Sequence, residues 1–257
     1  MTKLFDTHAH YTDERLKDKT GLIESIFDGD VGYITCVASS IEDSMECIAL
    51  AEKYENMYAS AGIHPHECEN RTDVDADMQA IERLCGKEKV IALGEIGLDY
   101  HYDKEFEAAQ KKYFDAQLSL AESLDIPVII HDRDAHGDVF DMICAHKRAR
   151  GIIHSCSESA EMVKEYVRRG WYISFSGVIT FKNASKILEA VNATPKDRIL
   201  VETDCPYLSP VPMRGTDNSS ANLHFTAAKA AETLGMDYGE FVKISTENAK
   251  RVFMIED

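Results

Sequence analysis

The sequence predicts an α/β protein built as a single (β/α)8, or TIM, barrel, with one domain covering residues 1–257. Three observations predict it. Short apolar, β-branched runs alternate with helical patterns, and eight such runs occur. The chain has 257 residues, and a barrel of this kind needs about 250. The runs are almost continuously apolar, as strands covered on both faces are. An open doubly wound sheet is the competing architecture. The absence of a G-x-G-x-x-G turn after the first run weighs against it.

The elements can be justified in order. Leu4–Asp6 is the first run and Tyr33–Val37 the second. Ile41, Met45, Ile48, Ala49 and Glu52 then space as one helix face. Met57–Ile63 and Val90–Leu93 are the third and fourth runs. A longer helical pattern follows on Phe106, Ala109, Tyr113, Leu120 and Leu124. Pro127–His131 and Gly151–His154 come next. Ser155 and Glu158 read as a capping box, and Arg168-Arg169-Gly170 as the end of that helix. Trp171–Phe175 and Ile199–Glu202 are the last two runs. Leu223, Ala227, Ala230 and Leu234 precede Gly235, a C-cap signal. Phe241, Ile244, Asn248 and Val252 mark a closing helix.

Composition narrows the function. Lys and Arg total 28 against 45 Asp and Glu, a net charge of −17. So acidic a chain is a poor general binder of nucleic acid, because affinity for phosphates rests on Lys/Arg patches. An anionic substrate would need a local reversal of the field, which bound metal ions supply. The 7 cysteines are odd in number and irregularly spaced, without a C-x-x-C. That pattern fits reduced thiols in a cytosolic protein. No apolar run approaches the ~18 residues of a membrane span. The start, MTKLFDTHAH, lacks the basic-then-apolar order of a signal peptide. The expectation is a cytoplasmic protein with no membrane contact and no obligate protein partner.

Chemistry gathers at the C-terminal ends of the runs. His8 and His10 follow the first, His64 the third and Glu95 the fourth. His131 ends the fifth, His154 the sixth, and Asp204 follows the eighth. In a (β/α)8 barrel these ends converge on one face. His8 and His10 are two apart, so on a strand their imidazoles share a side. Glu95 follows an apolar strand, and a buried carboxylate requires a partner or a metal. Plainer alternatives exist for each: an exposed polar strand end, a salt bridge to an arginine, or, for Asp204, a helix cap or turn. Together the residues suffice for two divalent ions. His8, His10, Glu95 and Asp204 would hold one, and Glu95, His131 and His154 the other. Paired ions suit hydrolysis of phosphate esters, with Asp204 taking a proton from the attacking water. Imidazole donors favour Zn²⁺, Mn²⁺ or Ni²⁺ over Mg²⁺. Trp171, Tyr172 and Phe175 read as core, and Cys205-Pro206-Tyr207 as a rigid turn holding Asp204.

Six segments carry a resemblance. They are Asp6-Thr-His-Ala-His10, Ala61-Gly-Ile-His-Pro-His66, Gly94-Glu-Ile-Gly-Leu-Asp99, Pro127-Val-Ile-Ile-His-Asp-Arg-Asp134, Gly151-Ile-Ile-His154 and Val201-Glu-Thr-Asp-Cys-Pro-Tyr207. In this order they resemble the signatures of the TatD-type metal-dependent deoxyribonucleases, part of the amidohydrolase superfamily. The resemblance implies a (β/α)8 barrel and hydrolysis of DNA from 3′ ends with divalent ions, Mg²⁺ among them. It implies ligation by His8, His10, Glu95, His131, His154 and Asp204, with His64 beside the centre. His66, Arg133 and Arg214 are then the substrate contacts, although Arg133 could instead pair with Asp134. Two loops depart from the family pattern. His154-Ser-Cys-Ser-Glu158 replaces His-Cys-Phe-Ser-Gly, and Asp217 stands where relatives have a second arginine. These departures motivate an alternative substrate for the same centre, the ester of a D-aminoacyl-tRNA or another ester or amide.

Overall fold

A computed structural model describes residues 2–19, 21–102 and 104–255. Its strands are β1 (Leu4–Ala9), β2 (Val31–Cys36), β3 (Met57–Ala61), β4 (Val90–Asp99), β5 (Val128–Arg133), β6 (Gly151–Ile153), β7 (Tyr172–Phe175) and β8 (Ile199–Val201). Its helices are α1 (Leu22–Asp28), α2 (Ile41–Ala51), α3 (Val74–Cys85), α4 (Glu107–Leu124), α5 (His136–Ala145), α6 (Ala160–Arg168), α7 (Ser185–Ala193), α8 (Leu223–Thr233) and α9 (Tyr238–Val252). Eight parallel strands alternating with helices make this the expected (β/α)8 barrel class. Among the described residues, no helix is long and apolar enough to cross a membrane.

The chain divides into two compact units. The first comprises Met1–Cys36 and His154–Asp257. Within it β7 pairs with β8 and β1 with β2, all parallel. A bridge between Ala9 and Cys205 joins β1 to the segment after β8. The core holds Trp171, Phe175, Ile34, Leu200 and Phe241. Trp171, Tyr172 and Phe175 are buried, as expected.

The second unit, Val37–Ile153, runs β3, β4, β5, β6 in parallel. Phe114, Leu118, Ile81, Ile129 and Val139 fill its interior. Its helix α2 begins at Ser40, whose side chain accepts a hydrogen bond from the Asp43 amide. That satisfies one of the unpaired N–H groups of the first turn.

Two details differ from the sequence reading. Strand β4 runs on to Asp99, six residues past Leu93. Gly97 pairs with His131 inside the ladder. It has φ 148°, and a Cβ there would lie 1.9 Å from the His131 carbonyl oxygen. Glycine is needed for close approach of two backbones, not for a turn. The cap of α6 is Ser159, not Ser155: Ser159 accepts from the Met162 amide. Ser155 instead has φ 39° and gives its N–H to Glu202.

Candidate metal centre

Each unit carries a histidine–carboxylate cluster at its strand ends. In the first, His8 lies at the end of β1 and His10 just past it. Their Nε2 atoms are 3.1 Å apart. Asp204 Oδ1 is 3.3 Å from His10 Nε2 and 3.8 Å from His8 Nε2. Backbone bonds set this up: the Asp204 amide donates to the His8 carbonyl at 2.9 Å, and the His10 amide to the Cys205 carbonyl at 2.7 Å. The His154 ring stacks on His8 with centroids 4.0 Å apart. His154 Nδ1 lies 3.1 Å from Glu202 Oε1, which also accepts the Ser155 amide at 2.8 Å. His8, His154 and Glu202 each offer a donor atom within 4.8 Å of the others.

Asp6 is fully buried beneath this cluster. It accepts from the Thr203 amide at 2.9 Å, the Thr203 hydroxyl at 2.6 Å and the Ser220 hydroxyl at 2.6 Å. Burial pushes its carboxyl up to about 6, against the pull of those donors. For Asp204 the balance is reversed. Burial works against ionisation, but the hydrogen bond to His10 and the fields of His8 and His154 hold the carboxyl below its usual range. The Cys205 thiol is fully buried and burial pushes it far up, in keeping with a turn role.

In the second unit, His131 Nδ1 is 2.7 Å and His64 Nε2 3.9 Å from Glu95 Oε1. Glu95 is buried, and these three residues again offer donors within 4.8 Å of one another. Asp99 closes the arrangement from behind. Its Oδ2 lies 3.1 Å from His131 Nε2 and 3.0 Å from His66 Nε2. Its Oδ1 accepts the amides of His101 at 2.9 Å and Tyr102 at 3.1 Å. Burial opposes its charge, but the bonds to His131 and His66 hold the Asp99 carboxyl well below the usual carboxylate range.

Helix α4 grips the chain that carries these groups. Gln110 accepts the Asp99 amide at 2.9 Å and donates to the Asp99 carbonyl at 3.0 Å. Gln117 treats Ile63, next to His64, the same way, at 2.8 and 3.0 Å. The two glutamines are seven apart, two helical turns, so they project from one face. Both are buried, and each satisfies both backbone groups of a residue leaving a strand.

The sequence-derived residues therefore fall into two groups. His8, His10, His154 and Asp204 meet in the first unit, and His64, His66, Glu95 and His131 in the second. Arg133 lies over the Tyr102 ring at 4.8 Å, while Asp134 bonds His101 at 2.9 Å. Arg214 stacks on Phe181 at 3.8 Å, and Asp217 pairs with Lys19 at 3.2 Å. Asp6, Asp99, Glu202, Gln110 and Gln117 were not read as site residues. Asp99 closes one of the six resembling segments, and Glu202 lies two before Asp204. The glutamines interrupt an apolar helix face, which is the one local signal they leave.

The donor set fits a divalent cation. Imidazole nitrogens and carboxylate oxygens that converge this closely present lone pairs that one cation can share. Imidazole with carboxylate suits Zn²⁺, Mn²⁺ or Ni²⁺. A buried carboxylate on one ring nitrogen of His131 (Asp99) and of His154 (Glu202) matches the partners that orient metal-bound histidines.

Comparison with known proteins agrees. The profile of the TatD related DNase family matches residues 5–254. The uncharacterized metal-dependent hydrolase YabD of Bacillus subtilis is 40% identical, over 98% of this chain and 99% of its own. The uncharacterized metal-dependent hydrolase YcfH of Escherichia coli is 34% identical, over 98% and 96%. The crystal structure of YjjV, a TatD homolog from Escherichia coli, superposes with a TM-score of 0.91 at 28% identity, covering 99% of each chain. A barrel with clustered histidines and carboxylates, joined to these matches across its length, places the chain in the TatD family of metal-dependent hydrolases.

Proposed function

We propose that the protein is a phosphodiesterase that removes nucleotides from the 3′ ends of DNA, with residues 1–257 working as one hydrolase domain. The observation that carries the reading is the approach of His8 Nε2, His10 Nε2 and Asp204 Oδ1 to within 3.8 Å of one another, in a chain of this family. His8, His10, Glu95, His131, His154 and Asp204 would hold two divalent ions, which supply Lewis acidity toward a water and the scissile phosphate.

The protein's own groups do the rest. Asp204, held ionised by its histidine neighbours, accepts a proton from the attacking water. Water oxygen bonds to phosphorus, the bond to the leaving sugar oxygen breaks, and that oxygen takes up a proton from solvent to depart as a hydroxyl. Glu95 keeps His131 oriented through the 2.7 Å contact. His64 positions the leaving group, and His66, Arg133 and Arg214 bind phosphate oxygens. With a net charge of −17, the protein repels DNA elsewhere on its surface, which favours strand ends delivered to a local cationic site.

The test is a nuclease assay on chelator-stripped protein. A single-stranded oligonucleotide labelled at either end is supplied with Mg²⁺, Mn²⁺ or Zn²⁺, and Glu95→Ala is run alongside. A metal-dependent ladder from the 3′ end, absent in the variant, is the expected result. No cleavage with any ion would overturn the DNA reading, and release of D-tyrosine from charged tRNA would replace it.

A further inference from the structure

Tyr102 is an aromatic side chain that the fold leaves open. It is 61% exposed, although it stands in contact with the cluster of the second unit. The ring of His66 meets it edge to face at 5.7 Å, and that of His101 at 4.6 Å. The Arg133 guanidinium sits over it at 4.8 Å. Its backbone is not loose. Asp99 Oδ1 accepts the Tyr102 amide at 3.1 Å, while Oδ2 of the same carboxylate holds His131 and His66. One buried carboxylate therefore sets both the cluster and the turn that presents the ring.

We propose that Tyr102 is a stacking platform for a nucleobase of single-stranded nucleic acid, fixing the base beside the phosphate that the cluster serves. Three physical points favour a base over other ligands. An exposed aromatic gains from a flat π surface, and every base has one. A guanidinium on the ring adds a cation–π contact and brings positive charge to an otherwise acidic protein, suited to the adjoining phosphate. The rigid anchor reduces the ordering cost of binding. Stacking does not read the base, so it predicts affinity for strand ends without strong sequence preference.

The proposal rests on the nucleic-acid reading above, and its test separates the two. Binding is measured by fluorescence anisotropy with metal-loaded, full-length protein and short phosphorothioate oligonucleotides that resist cleavage. One set carries all its bases, and another has abasic sugars at its 3′ end. Wild type is compared with Tyr102→Ala and Tyr102→Trp. Wild type is expected to bind the base-bearing strand about five- to a hundredfold more tightly than the abasic one. Tyr102→Ala should lose that difference and bind the abasic strand as wild type does. Tyr102→Trp should retain it, with tryptophan emission quenched by the base-bearing strand alone. The chain's 1 native tryptophan, Trp171, is buried and gives the background. If Tyr102→Ala is poorly folded, the quenching of Tyr102→Trp decides.

Ribo- and deoxyribo-oligomers of one sequence distinguish a DNA end from the end of an RNA. Equal binding of base-bearing and abasic strands by wild type, or an undiminished difference in Tyr102→Ala, overturns the proposal even if DNA is cleaved. A base-dependent difference that vanishes in Tyr102→Ala upholds it even if the nuclease assay fails.

Discussion

Asp99 Oδ2 stands 3.1 Å from His131 Nε2, on the side of the ring away from Glu95. The imidazole is thus held at both nitrogens by buried carboxylates, and its orientation is set before any ion arrives. The same oxygen reaches His66 at 3.0 Å.

Asp99→Asn should weaken metal binding about 10- to 100-fold, the usual cost of losing a partner behind a histidine ligand. Metal content after dialysis against graded free Zn²⁺ checks this. Unchanged occupancy would mean that Asp99 serves the turn at Tyr102 and not the cluster.

Glu202→Gln addresses the corresponding pair in the first unit. Glu202 is fully buried, and its Oε1 lies 3.1 Å from His154 Nδ1. Glutamine keeps an acceptor but removes the charge that makes the imidazole a better donor to an ion. The metal-free variant should melt near wild type, and the rise in Tm on adding Zn²⁺ should shrink, since ligand stabilisation follows affinity. Calorimetry with and without the ion reads both.

Gly97→Ala should destabilise the fold by at least about 2 kcal/mol, combining backbone strain with a steric clash. The added Cβ would sit 1.9 Å from the His131 carbonyl oxygen at φ 148°. Relief requires β4 and β5 to part where Glu95 and His131 are displayed, so metal binding should fall with stability. Urea denaturation measures the first and metal titration the second.

Gln117→Leu keeps the bulk of the side chain but removes both hydrogen bonds to Ile63. A buried amide and carbonyl left without partners cost about 1–3 kcal/mol each. The variant should lose stability on that scale, and His64, the next residue, should lose its fixed position. A fall in Tm without any fall in activity would show that the clamp is structural alone.

Asp13 supplies a pH dependence. The Arg15 hydrogen bond holds its carboxyl down at about 2, against the opposing effect of burial, and the Tyr207 hydroxyl adds to the lowering. Its usual value is near 3.9. A carboxyl lowered on folding contributes stability above the unfolded value, and that contribution disappears as pH falls toward the folded one. The pair is partly exposed, so the gain is below about 1 kcal/mol. Asp13→Asn should therefore melt slightly below wild type at pH 7 and alongside it near pH 2, by differential scanning fluorimetry.

The sequence by itself determined the alternation of strands and helices and the residue types at the strand ends. Those signals are local: apolar runs, 3.6-residue periodicity, and polar residues where a run stops. His8, His10 and Asp204 follow from them, and so does the burial of Trp171. What a residue touches a hundred positions away is not local, and only the tertiary structure decided it. The apolar run of the fourth strand stops at Leu93. Pairing with β5 carried β4 on to Asp99, because glycine permits the backbones to approach. Ser155 looked like a helix cap, but the buried Glu202 drew its amide away and Ser159 took the role. Asp99, Gln110 and Gln117 are ordinary polar letters in sequence. Burial makes them decisive, because in a dry interior each polar group must find a partner, and those partners hold the histidines in place.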